Sequence, residues 1–164
     1  MGLSSLGIFH TIIGVAAIVA AVIDFIKYGK INLNTLSGKI YFYGTVVTSL
    51  TSLGISKHGG FNPGHVFAIF IIVLVLAAYF LNSKRKNSGR ARYFENFWLS
   101  FSFFLSLVPT VNETFTRVPL GHPLAKDIKD PVIGNTLLVL LLLFIAGSIF
   151  QFRKQKFINK TTGL

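Results

Sequence analysis

Five apolar stretches, near residues 3–26, 40–55, 65–81, 93–115 and 132–152, divide the chain, and polar connections separate them. A helix needs about 20 predominantly apolar residues to cross a hydrocarbon core. All but the second stretch fall in the usual range, and the second is short and rich in small hydroxyl residues. In lipid the backbone must satisfy its own hydrogen bonds, and the strands of a membrane barrel would alternate in polarity. These stretches do not alternate. The sequence therefore predicts an all-α integral membrane bundle of about five transmembrane helices, forming a single domain over residues 1–164. Composition points the same way: 52% of the residues are hydrophobic, only 13% are charged, and the mean hydropathy is +0.64. Soluble domains carry about 25% charged residues. The fourth stretch contains Pro109, Asn112 and Glu113. A proline there removes a backbone bond, so whether this span runs unbroken is open at this level.

The formal net charge is +11. The basic residues flank the apolar stretches and do not spread over a folded face, which assigns them to membrane orientation and away from nucleic acid. An N-terminus on the outside places Lys27, Lys30, Lys39, Lys84, Arg85, Lys86, Arg90, Arg92, Arg153, Lys154, Lys156 and Lys160 inside, twelve of the 16 lysines and arginines. Lys57, Arg117, Lys126 and Lys129 stay outside, the last two beside Asp127 and Asp130. The predicted orientation is N-out, C-in, as a multi-pass membrane protein. The start of the chain lacks a basic region before its apolar run, which is also too long for a signal peptide. With no cysteine, disulfides, thiolate metal sites and cysteine nucleophiles are excluded.

Polar residues inside the apolar stretches carry the functional expectations, because an ionisable group at membrane depth costs several kcal/mol unless it is used or paired. Gly7, His10, Gly14, Ala17, Ala21 and Asp24 recur at spacings of three and four, on one face of the first helix. Small residues on such a face allow close packing in lipid, so His10 and Asp24 are expected to face the interior. Asp24 also has Lys27 at i+3 as a pairing partner. Ser102, Ser106, Pro109 and Glu113 form a similar stripe that turns Glu113 inward, although Arg117 at i+4 offers it a surface partner. Arg117 alternatively faces an anionic head group. Thr45, Ser49, Ser52 and Ser56 share one side of the second helix, and the leucine-rich fifth helix reads as lipid-facing.

All four histidines, His10, His58, His65 and His122, fall toward the outer side of this topology. With Glu113 they form the candidate metal ligands. Imidazole and carboxylate suit zinc or copper, and His10 with His65 is the pair that would hold haem b between facing helices. Each also has a plain structural reading, as a hydroxyl-bonded interface residue for His10, a first-turn residue for His65 and solvated loop residues for His58 and His122. There is no P-loop, dinucleotide fingerprint, nucleophile elbow or paired-carboxylate motif. Catalytic residues are not identified, and enzymatic activity stays open.

Three segments carry a resemblance: Phe9-His10-Thr11 in the first helix, Leu36-Ser37-Gly38-Lys39-Ile40-Tyr41 entering the second, and Asn112-Glu113-Thr114-Phe115-Thr116-Arg117-Val118-Pro119 on the outer side. On these the chain resembles a group of small bacterial multi-pass membrane proteins of unknown function. It is more loosely similar to haem-binding four-helix membrane cytochromes. The resemblance implies a helical bundle and no particular activity. Members of the group often carry histidines where this chain has Asn34 and Ser88.

Three functional classes remain open. The first is an outer-face metal or haem site serving membrane redox chemistry. The second is a non-catalytic subunit or scaffold binding lipid or partner helices, as a homo-oligomer or within a larger membrane complex. The third is a small carrier relaying protons between His10 and Asp24.

Overall fold

The computed structural model describes residues 4–55, 60, 62–84 and 88–163. Five helices make up the described architecture: α1 (Ser5–Tyr28), α2 (Leu36–Ser52), α3 (Pro63–Lys84), α4 (Gly89–Phe115) and α5 (Pro131–Thr162). Local chemistry sets their ends. Ser4, Thr35, Ser88 and Asp130 cap the N-termini of α1, α2, α4 and α5 with side-chain oxygens that accept otherwise unpaired amides. Gly29 ends α1 at φ 73°, where a side chain would be strained.

Each helix packs on the next in sequence. Side chains from α1 and α2 also reach α4: Phe25 meets Phe103 edge-on at 5.2 Å, and the Tyr41 hydroxyl bonds Ser102 Oγ at 2.7 Å. These contacts close α1–α4 into a four-helix bundle around Ala17, Ala21, Tyr41, Val75, Ala78 and Leu99. Close approach of α1 and α2 depends on small residues: a methyl added at Gly44 would lie 3.0 Å from the Ala17 methyl. The helix α5 lies outside the bundle against α4, with Phe144 packed on Phe97, Phe101 and Phe104.

Three helices, α1, α3 and α5, are long and apolar enough to cross a membrane. Their outward surfaces are apolar, with Ile12 62%, Val73 55% and Leu143 63% exposed. The small-residue face of α1 points inward as its spacing predicts: Gly7, Ala17, Ala21 and Asp24 are buried, while Ile8, Val15, Val19 and Val22 are exposed.

The structure settles the course of the fourth helix and lengthens the fifth. The fourth helix is continuous through Pro109. Pro109 is exposed, and the hydroxyls of Ser106 and Thr110 bond the carbonyls four residues back in the same stretch. The fifth helix continues ten residues beyond its apolar stretch, because Gln151, Gln155 and Asn159 pack on α4.

Candidate functional site

The polar side chains gather at the two ends of the bundle, and the two gatherings differ in kind. At one end lie His10, Thr48, Thr51, His65, Asn112 and Glu113. His10 Nδ1 is 3.1 Å from Thr51 Oγ1, across the α1–α2 interface. His65 is buried at the start of α3, where its ring nitrogen accepts from the Asn62 amide at 3.3 Å. Both match the structural role open to them from sequence.

Glu113 is a correction. Its side chain is 60% exposed and ion-pairs with Arg117, one turn on. The Ser102–Ser106 stripe turns outward by Pro109, so the inward position expected of Glu113 is not realised. His122 is exposed in the connection after α4, and His58 lies outside the described residues. Among the described residues, no three histidine or acidic side chains are placed to hold one metal ion. Two features at this end remain of interest. The Glu113 carboxylate lies within electrostatic reach of His10, and Thr48 Oγ1 and Asn112 Oδ1 are buried without a hydrogen-bond partner.

The opposite end, where α1 turns into α2, holds a more extensive network. Asp24 is fully buried. It pairs with the returning chain and not with Lys27, which is exposed. Its carboxylate accepts from the Asn32 amide at 2.7 Å, from the Thr35 hydroxyl at 3.1 Å and from Ser37 Oγ. Four residues of sequence thereby become one clamp that sets the angle between α1 and α2.

A second clamp joins α3 to α4. Glu95 is 2% exposed and accepts from Asn82 Nδ2 at 2.8 Å and from the Arg92 guanidinium at 3.1 Å. A third runs across α4 to α5. Lys30 Nζ donates to Asn96 at 3.0 Å, Asn96 donates to Gln155 at 3.1 Å, Gln155 donates to Asn159 at 2.7 Å, and Asn159 reaches the Gly89 carbonyl at 3.2 Å. Ser100 donates to Gln151 at 2.9 Å beside it. Burial holds the Lys30 ammonium below the usual lysine range, the Glu95 charge opposing that shift.

Sequence reasoning missed Glu95, Asn82, Asn96, Gln151 and Gln155. Signals for them existed. Glu95 is an acid inside an apolar stretch, and Gln151, Gln155 and Asn159 repeat at i, i+4 on one helix face. Chemically, the carboxylates at this end are committed to donors, and the amides form a ladder. Such an arrangement fixes helices in place.

Comparison of the chain with protein-family models, with curated proteins and with solved structures gave no match.

Proposed function

We propose that the chain is a multi-pass protein of a bacterial inner membrane, all five helices crossing, N-terminus outside and C-terminus inside, and that it acts as a non-catalytic subunit or scaffold binding lipid and partner helices. The resemblance to small bacterial multi-pass proteins belongs to this proposal. One observation carries it: the polar interior is spent on helix-to-helix clamps, while the outward faces of α1, α3 and α5 are apolar and unpartnered. Lipid or another helix is the surrounding that such faces need. At 17 residues α2 spans about 25 Å, close enough to the bilayer core to cross with modest thinning. The polar residues of α4 pair inside the bundle, so its low hydropathy does not oppose insertion.

Carbonate extraction of native membranes tests the first part. Retention of the chain in the pellet supports the proposal, and release into the supernatant refutes it.

A second reading keeps a redox cofactor near His10. It is favoured by the unpartnered Thr48 and Asn112 oxygens. The residues present offer His10 as a ligand for a metal or haem iron, with His65 on α3 as the only other described histidine in a helix. Iron, copper and zinc quantified per chain in protein purified without chelator decide between the readings.

A further inference from the structure

Between α4 and α5 the surface is indented by a groove of about 230 Å³, open on one side and walled by Tyr93, Phe97, Ile149 and Phe152. Tyr93 and Phe152 meet at 4.4 Å and mark one end. Deeper in the groove lies Ser148, whose Oγ is buried with no hydrogen-bond partner. Asn96 and Gln151 also line it, but their amides are engaged in the α4–α5 ladder.

Helical register extends this groove toward charge. Arg90 lies three residues before Tyr93 and seven before Phe97, on the same face of α4. Lys156 lies four residues after Phe152 and seven after Ile149, on the matching face of α5. The helices are level here, since Asn96 meets Gln155 and the Gly89 carbonyl meets Asn159. Arg90 and Lys156 thus stand at the same height, one turn beyond the Tyr93–Phe152 end, and both are exposed. Lys30 and Lys154 do not share this flank. Lys154 donates to the Tyr28 carbonyl, and the Lys30 ammonium is committed to Asn96 Oδ1.

We propose that this groove holds one acyl chain of an anionic phospholipid, with the phosphate between Arg90 and Lys156. The inference rests on the membrane reading above. Three features argue for that occupant. An apolar slot at helix–helix contact suits an acyl chain better than water. Two cations with no acidic neighbour on this flank suit a phosphate; of the five acidic residues, Asp24 and Glu95 are buried in clamps and the other three lie at the far end. A tyrosine one turn from the charges is the residue type that sits at head-group depth.

The test uses the full chain in mild detergent, with thermal unfolding followed as dioleoyl phosphatidylglycerol or dioleoyl phosphatidylcholine is titrated. Saturable stabilisation by the anionic lipid, greater than by the zwitterionic one, is expected. Arg90→Gln with Lys156→Gln should weaken its apparent Kd by about thirty-fold, each juxtamembrane cation contributing about fivefold. The control pair Lys27→Gln with Lys39→Gln, on other helices and away from the groove, should leave the Kd within about twofold, a difference of about 0.4 kcal/mol. Ile149→Trp fills the slot and should abolish saturable binding while leaving the circular dichroism spectrum unchanged. Equal response to both lipids, or equal loss from the control pair, overturns the site while leaving the membrane reading intact. Release of the chain by carbonate overturns the membrane reading itself.

Discussion

Asp24 shows what one residue does in this interior. A buried carboxylate is tolerated because an amide and two hydroxyls from residues 32–37 donate to it. Asp24→Ala removes the acceptor shared by the half-buried Asn32 amide and the Thr35 and Ser37 hydroxyls, and should lower unfolding stability by about 2–4 kcal/mol. Denaturant unfolding of the detergent-solubilised chain measures this; a loss below about 0.5 kcal/mol, the size of an ordinary surface effect, would contradict the clamp. Gly38 belongs to the same clamp by sterics, since a methyl there would overlap the Asn32 carbonyl and come 3.0 Å from Asp24 Oδ2. Lys30 acts through desolvation. Its folded pKa lies below the ordinary lysine value, so the unfolded chain holds that proton more tightly. Stability from this group therefore rises as pH climbs through the folded pKa toward about 10.4. Lys30→Gln should flatten that alkaline rise in a stability–pH profile.

At the scale of elements, α5 is the informative helix. Its 32 residues span about 48 Å, well beyond a ~30 Å hydrocarbon core. The excess is held by the amide ladder to α4. Gln155→Leu breaks the ladder between Asn96 and Asn159, and should cost about 1–3 kcal/mol. Limited proteolysis should then cut within residues 156–163 faster than in the parent chain; unchanged cleavage would place the extension's stability elsewhere. The other end of α5 depends on Asp130, whose carboxyl is held below its usual pKa by the Lys126 and Val132 amides. A depressed carboxylate pKa gives stability present above the unfolded value and lost as pH falls through the folded one. Amide exchange at Val132 to Gly134 should therefore quicken under acid, relative to mid-α5.

For the whole molecule, orientation is the property to measure, and a chain without cysteine makes the measurement clean. Leu120 is 92% exposed in the connection after α4, and Lys160 is exposed near the end of α5. In intact cells an impermeant maleimide should label Leu120→Cys and spare Lys160→Cys. The reverse pattern would invert the proposed topology, and labelling of both would remove it.

Five helices and the inward face of α1 were legible because a membrane-length apolar stretch has few alternatives and because helical period alone places Ala17, Ala21 and Asp24 together. The charge asymmetry of the connections is likewise a property of the linear chain. What the chain order does not hold is which side chains meet. Whether Asp24 pairs with Lys27 or with Thr35 depends on how the α1–α2 connection folds back. Whether Glu113 turns inward depends on the neighbours of α4 beyond Pro109. The ladder of Lys30, Asn96, Gln155 and Asn159 joins residues up to 66 positions apart within a single bond, a proximity that only tertiary packing creates. Sequence determined the helices and their apolar faces, because lipid-length segments are fixed by local hydropathy and backbone hydrogen bonding; the tertiary structure decided the polar partners, because hydrogen bonds are satisfied by whatever the packed helices bring within 3 Å.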